Sequence, residues 1–172
     1  MIARSAVSWK SGVAGSARDK YKNGLYSTVV VVVVDGSALA AAAADESLVS
    51  MPLAAAFHLT GTHIGNDAAR IVMPPNPAYG NSRGDVHGGV LAMLMDCALA
   101  SAVRSHDPAR FGVATIDLTM HYLAPARGEV VALAVCERRG RSISFARGQV
   151  FDSEGTLLAL ATGTFKLLER SI

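Results

Sequence analysis

Only two of the 172 residues are cysteine, Cys97 and Cys136, and they stand far apart in apolar runs. That excludes a disulfide framework and any CxxC metal or redox pattern. Both read as buried, reduced thiols in a cytoplasmic protein. The five histidines contain no HxxxH pair. His63 and Asp67 are four apart, but on a strand-and-turn stretch that spacing does not share a face, so neither a metal nor another cofactor is expected. Charge is scarce and nearly balanced, 16 basic against 14 acidic groups. The excess belongs to residues 1–24, which carry +4, while the rest of the chain carries −2. The body has no basic stripe interleaved with aromatics, which argues against a nucleic-acid partner. No apolar run approaches the roughly 20 residues of a membrane-spanning helix, so no membrane partner is expected. No repeat with a period of about 20–50 residues is visible.

What is present is apolar: 51% of the chain, enough for one domain with a real core. Residues 1–24 mix Ser, Gly, Ala and Lys/Arg without period and read as a flexible tail. The six valines of 29–34, closed by Asp35-Gly36, suit a buried strand, and 38–44 is helix-prone. A secretory signal fits poorly, because Asp35 and Gly36 split the apolar core and the basic region would be unusually long. Residues 1–45 are therefore an N-terminal extension of unknown role, and residues 46–172 one domain.

Within that domain, Ser47 or Ser50 caps a short helix running to Phe57, with Pro52 in its first turn. Strands follow at 58–65 and 68–73, joined by an Asn66-Asp67 turn, then a loop rich in Pro, Asn and Gly at 74–86. Residues 90–103, VLAMLMDCALASAV, form a helix of about 21 Å with no Pro or Gly to interrupt it. Four strands come next, at 113–123, 129–138, 142–151 and 157–168, separated by short turns that imply antiparallel pairing. The strand at 129–138 is apolar on both faces and is expected to be covered on both sides. The fold class is α+β, a curved antiparallel sheet wrapped around one long central helix.

That helix is apolar all round, which predicts burial, yet it carries Asp96. An unpaired charge there costs several kcal/mol, so the acid is either satisfied by amides and hydroxyls, placed at a subunit seam, or engaged in chemistry. Before it come His87, Gly88 and Gly89. The first amides of a helix lack intrahelical partners, the helix dipole favours negative charge there, and glycine admits a ligand close to the backbone. Those are the ingredients of an oxyanion hole. Asp96 lies eight residues after Gly88, about 12 Å along the axis. If the two cooperate, Asp96 of one subunit must face Gly88 of another across a two-fold axis.

His87-Gly88-Gly89, with Asn81 six residues before His87 and Asp96 nine after, resembles the hotdog-fold acyl-CoA thioesterases. The phenylacetyl-CoA thioesterase-like (PaaI-like) group is the nearest in pattern. GVATID at 112–117, HYLAPA at 121–126 and ATGTF at 161–165 match in step, and the resemblance covers about residues 48–168. It implies a homodimer or homotetramer with active sites at the subunit seam, hydrolysing an acyl-CoA to free acid and CoA. It implies Asp96 as general base or nucleophile, the Gly88 amide as oxyanion hole, and Asn81 orienting substrate or water. His87 would shape the hole, Gly89 would border the substrate, and Thr115 would position water or the acid. Each has a plainer alternative: close backbone packing for the glycines, a turn for Asn81, an ordinary strand residue for Thr115. Cys97 points about 100° away from Asp96 and reads as core. Arg138, Arg139 and Arg141 flank a hairpin turn and either hold the phosphates of CoA or are simply solvated. Pocket depth is expected to depend on Met93, Leu94, Met95 and Tyr79. The competing function is a non-catalytic acyl-CoA-binding protein of the same fold; a hydratase on that fold fits less well, because the closely spaced Asp and His pair usual for that activity is not seen.

Overall fold

In a computed structural model of the chain, residues 51–170 are described. The expected strand at 29–34, the helix-prone 38–44 and the whole of the 1–45 extension lie outside them. So do Ser47 and Ser50. The first helix, α1 (Pro52–Ala56), begins at Met51, which offers no side-chain cap. Pro52 supplies the start instead, because its fixed φ is helical and its missing N–H would have been unpaired there anyway.

Six strands follow: β1 (Thr60–Gly65), β2 (Ala68–Met73), β3 (Phe111–Tyr122), β4 (Val130–Arg139), β5 (Ile143–Asp152) and β6 (Leu157–Glu169). They form one antiparallel sheet in the order β1-β2-β4-β5-β6-β3. The β1–β2 hairpin closes on Asn66 and Asp67, both with positive φ (51° and 63°). Asn and Asp tolerate that region best among non-glycine residues, and the right-handed twist of paired strands demands it in a two-residue loop.

The long helix, α2 (Gly88–Arg104), lies across the sheet and packs against β2, β3, β4 and β5. It is longer than the apolar run predicts, because both glycines are taken into its first turn behind His87 as N-cap. Leu94, Met95, Leu99 and Val103 are fully buried, as are Ile71, Met73, Val130, Val150 and Phe165 from the sheet. Each such side chain contributes about 1.5–3 kcal/mol of burial free energy. At its tightest point the helix rests on Gly148 of β5. A Cβ there would lie 2.4 Å from Met95 Sδ and 2.9 Å from the Leu133 carbonyl oxygen.

Burial is not all round, although the apolar composition of α2 predicts that it should be. Gly89 is exposed, and Ala92, Met93, Asp96 and Ala100 are only half-buried. These recur at helical spacing and form one stripe that the sheet leaves open. Apolar composition reports only that each face meets something apolar, and among the described residues this stripe has no cover.

The edge strand β3 carries a bulge. Thr115 pairs with Phe165 and Asp117 with Thr164, leaving Ile116 as an extra residue. Alternation therefore changes phase at Ile116. Val113 packs on the core before it, and Leu118 and Met120 after it. No described helix is long and apolar enough to cross a membrane.

Candidate active site

The loop ahead of α2 is built like a clasp. A 3-10 turn at Pro77–Tyr79 opens it, with Asn76 Oδ1 accepting the Ala78 amide. Tyr79 is buried and packs on Phe57, ring centroids 5.0 Å apart. The Tyr79 carbonyl accepts the His87 amide at 2.8 Å, and the Ala126 carbonyl accepts the Val86 amide at 2.8 Å. Asn81 holds the turn between them: its Oδ1 accepts the amides of Arg83 (2.8 Å) and Asp85 (3.2 Å). The side-chain oxygen of Asn81 is thus spent on the backbone, and only its amide group remains for a ligand.

At the helix start His87 Nδ1 accepts the Gly89 amide at 3.0 Å. Tyr122 Oη donates to the Gly88 carbonyl at 2.8 Å. The peptide between Gly88 and Gly89 is therefore held at both ends. Among the described residues the Gly88 amide itself has no acceptor. A Cβ on Gly88 would lie 3.3 Å from Tyr122 Cζ, so the ring lies close against residue 88. One free amide at a helix N-terminus, with its neighbour fixed, can receive a developing negative charge.

Asp96 sits two turns further along. Its Oδ1 accepts the Thr115 Oγ1 hydroxyl at 2.8 Å, and no described residue engages Oδ2. The bulge at Ile116 leaves Thr115 on the helix-facing side with Val113. Asp96 is half-exposed, not buried as an all-apolar helix predicts, because it lies on the open stripe. Cys97 is buried beside it, its thiol 4.0 Å from Met93 Sδ. Burial, reinforced by the Asp96 charge, pushes the Cys97 thiol up to about 11. That makes it a poor nucleophile and a good core residue.

Residues 83–159 match the thioesterase superfamily. The described residues have the hotdog fold, a curved antiparallel sheet around one long helix. A Halobacterium salinarum protein, provisionally named an esterase, is 41% identical over 97 residues, 52% of this chain and 64% of its own length. The chain thus spans just under two thirds of that relative. Among solved structures, a conserved protein of Pseudomonas aeruginosa superposes with a TM-score of 0.67 at 25% identity, covering 72% of this chain and 98% of that one. A thioesterase family protein of Silicibacter pomeroyi gives 0.68 at 21% identity, over 73% of this chain and 95% of that one. The PaaI protein from the phenylacetic acid degradation operon of Escherichia coli gives 0.65 at 20% identity, over 69% and 86%. The last two likenesses speak to the fold.

In the hotdog domain a cleft of about 440 Å³ opens at Gly88, bordered by Asn81, Leu91, Tyr122 and Leu123. Asp96 is not among its lining residues. Leu94 and Met95 are fully buried in the core and Tyr79 nearly so, which leaves Met93, on the open stripe, as the half-buried member of the expected pocket set. Arg138, Arg139 and Arg141 lie at the other end of α2. Arg139 is ion-paired with Asp67, whose amide donates to Ser105 Oγ at the helix C-terminus.

One pair escaped the sequence reading. Asp85 is 6% exposed and ion-paired with Arg127 (Nε to Oδ1, 2.8 Å) and Arg83 (Nε to Oδ2, 3.5 Å). The Arg127 hydrogen bond, aided by its charge and by Arg83, holds the Asp85 carboxyl below the usual carboxylate range. It ties the clasp to the β3–β4 connection 42 residues away. The only local hint was an acid in a Gly-rich loop. Among the described residues no group of three or more His, Cys, Asp or Glu side chains converges as a metal site would.

Proposed function

We propose that the domain hydrolyses the thioester of an acyl-CoA, in a site shared by two protomers. The observation that carries this reading is the pair of complementary groups on one helix that cannot meet within it. A free Gly88 amide and an Asp96 carboxylate held by Thr115 stand about 12 Å apart along the axis. A two-fold axis beside the open stripe of α2 would bring Asp96 of one protomer to Gly88 of the other. The edge strand supports such an axis. β3 spans twelve residues without proline, its outer edge has no partner among the described residues, and it carries Ile116 at 57% and Tyr122 at 52% exposure. A long, exposed, largely apolar edge is a template for pairing with a second chain.

In this scheme the Asp96 carboxylate takes a proton from water, and the hydroxide attacks the thioester carbonyl. The oxyanion forms against the Gly88 N–H, the C–S bond breaks, and the CoA thiolate leaves and is protonated. Direct attack by Asp96, giving a mixed anhydride that water then cleaves, uses the same groups. A thioester carbonyl is weakly stabilised by its sulfur and a thiolate leaves readily, so a base and an oxyanion hole suffice. Two unpaired thiols suit a cytoplasmic setting.

The test is thiol release from a panel of aryl and aliphatic acyl-CoAs by wild type and Asp96→Asn, with oligomer mass measured for both. The expected result is a dimer or tetramer whose turnover falls by orders of magnitude in the folded variant. Saturable acyl-CoA binding without turnover would instead make the protein a carrier or sensor. Turnover that survives Asp96→Asn would place the chemistry elsewhere.

A further inference from the structure

The cleft at Gly88 has a charged rim that this chemistry does not use. Asp85 is nearly buried, yet its partners Arg83 and Arg127 are 77% and 75% exposed. Each guanidinium is engaged through Nε, and no described residue engages the terminal nitrogens of either. A surface arginine normally loses side-chain entropy when it grips a ligand; one anchored by a buried carboxylate has lost much of it already. Arg83 lines the Gly88 cleft, and Arg127 lines an adjoining one of about 430 Å³ with Pro77 and Gly128. Asn81 and Val86 border both clefts, and among the described residues Asp85 is the sole acid lining either. Two cations and one anion leave a net positive rim whose arginine forks match phosphate oxygens. The hairpin arginines of the same chain are set differently: Arg139 is engaged by Asp67, and within one chain the hairpin stands at the far end of a 17-residue helix about 25 Å long.

We infer that Arg83 and Arg127, pinned by Asp85, form an anion subsite that holds the phosphates of a coenzyme A thioester at the mouth of the Gly88 cleft. This rests on the thioester reading above. It requires the pantetheine arm to run from the rim inward, so that the thioester carbonyl reaches Gly88.

The experiment compares two thioesters of the same acyl group, one of coenzyme A and one of N-acetylcysteamine, which keeps the reacting bond and lacks every phosphate. The enzymes are wild type, Arg83→Ala, Arg127→Lys and Arg138→Ala. Arg127→Lys keeps a countercharge for Asp85, so the loop is not left with an unpaired acid. Arg83→Ala is expected to raise KM for the CoA thioester about tenfold. KM for the truncated thioester should stay within about twofold. Calorimetric titration with CoA itself should show the same loss of affinity. Inorganic phosphate binding with the same dependence on Arg83, and no tighter binding of CoA, would overturn the CoA assignment. Equal changes for both thioesters would overturn the subsite, as would no change, or an effect carried by Arg138→Ala. Failure of the thioesterase reading looks different: neither thioester turns over in any variant. The CoA titration still decides the subsite then, because loss of affinity in Arg83→Ala upholds it and absence of CoA binding refutes it.

Discussion

Thr115→Val isolates the hydrogen bond that orients Asp96. The substitution exchanges a hydroxyl for a methyl and keeps the branched shape, so the strand loses one donor and little else. Thr115 is exposed on an edge strand, where valine is as good a strand former. The stability change should stay within about 0.5 kcal/mol. The lost bond runs from a hydroxyl to a carboxylate at 2.8 Å. Hydrogen bonds to charged groups are worth about 1.5–3 kcal/mol, and water competes for a half-exposed acid, which favours the lower end. About 1.5 kcal/mol is roughly a tenfold loss of rate. If the bond matters by aiming Oδ2 at water, the loss falls on kcat, and KM stays within about twofold. The assay is steady-state thiol release beside thermal unfolding. A folded Thr115→Val enzyme with unchanged kcat, when Asp96→Asn is inactive, would refute the orienting role. A large fall in Tm would refute the claim that the residue is structurally idle.

Other outcomes follow from the same geometry. Gly148→Ala pushes a methyl into Met95 Sδ and the Leu133 carbonyl. It should cost about 1–3 kcal/mol, a fall in Tm of roughly 4–12 °C by calorimetry, and an unchanged Tm would show that α2 has room to move. Asp85 and Asp152 both titrate below the ordinary 3.8, the first through its Arg127 hydrogen bond and the second chiefly through the Thr156 amide. Their folded pKa values lie below the unfolded ones, so the stability they add is complete above pH 3.8 and is lost as pH falls through the depressed values. Urea titrations from pH 5 to about pH 2 should show stability falling with acid, less steeply in Asp85→Asn; equal slopes would dismiss the Asp85 pair as a contributor. Ile116→Lys puts a charge on the exposed edge strand and should shift the mass in solution from dimer toward monomer, read by sedimentation; an unaltered mass would remove β3 from the interface.

The order of elements was legible in the sequence because each rested on local physics. Ala, Leu and Met without a breaker write the helix, and alternation with Asn-Asp, Pro-Ala-Arg-Gly and Asp-Ser-Glu-Gly turns writes the strands. β2 was bounded to the residue, and the other strands to within two. His87, Gly88 and Asp96 stood out because a polar or flexible group inside an apolar run is conspicuous in one dimension. What the sequence did not carry is direction. Nothing local shows that Asn81 turns its oxygen to the backbone, or that Tyr122, 34 residues on, fixes the Gly88 carbonyl. The phase change at Ile116 is invisible to a period-two pattern, yet it leaves Thr115 facing Asp96. Apolar composition predicted a helix buried all round, whereas the described residues leave one stripe open, since a sequence records that a face is apolar and not what covers it. Asp85 with Arg127 is a contact across 42 residues, set only when the clasp closes on the β3–β4 connection. The sequence by itself therefore determined the elements and the chemistry available to them. The tertiary structure decided which groups meet, because distance and orientation between segments come from packing, which no short stretch of chain encodes.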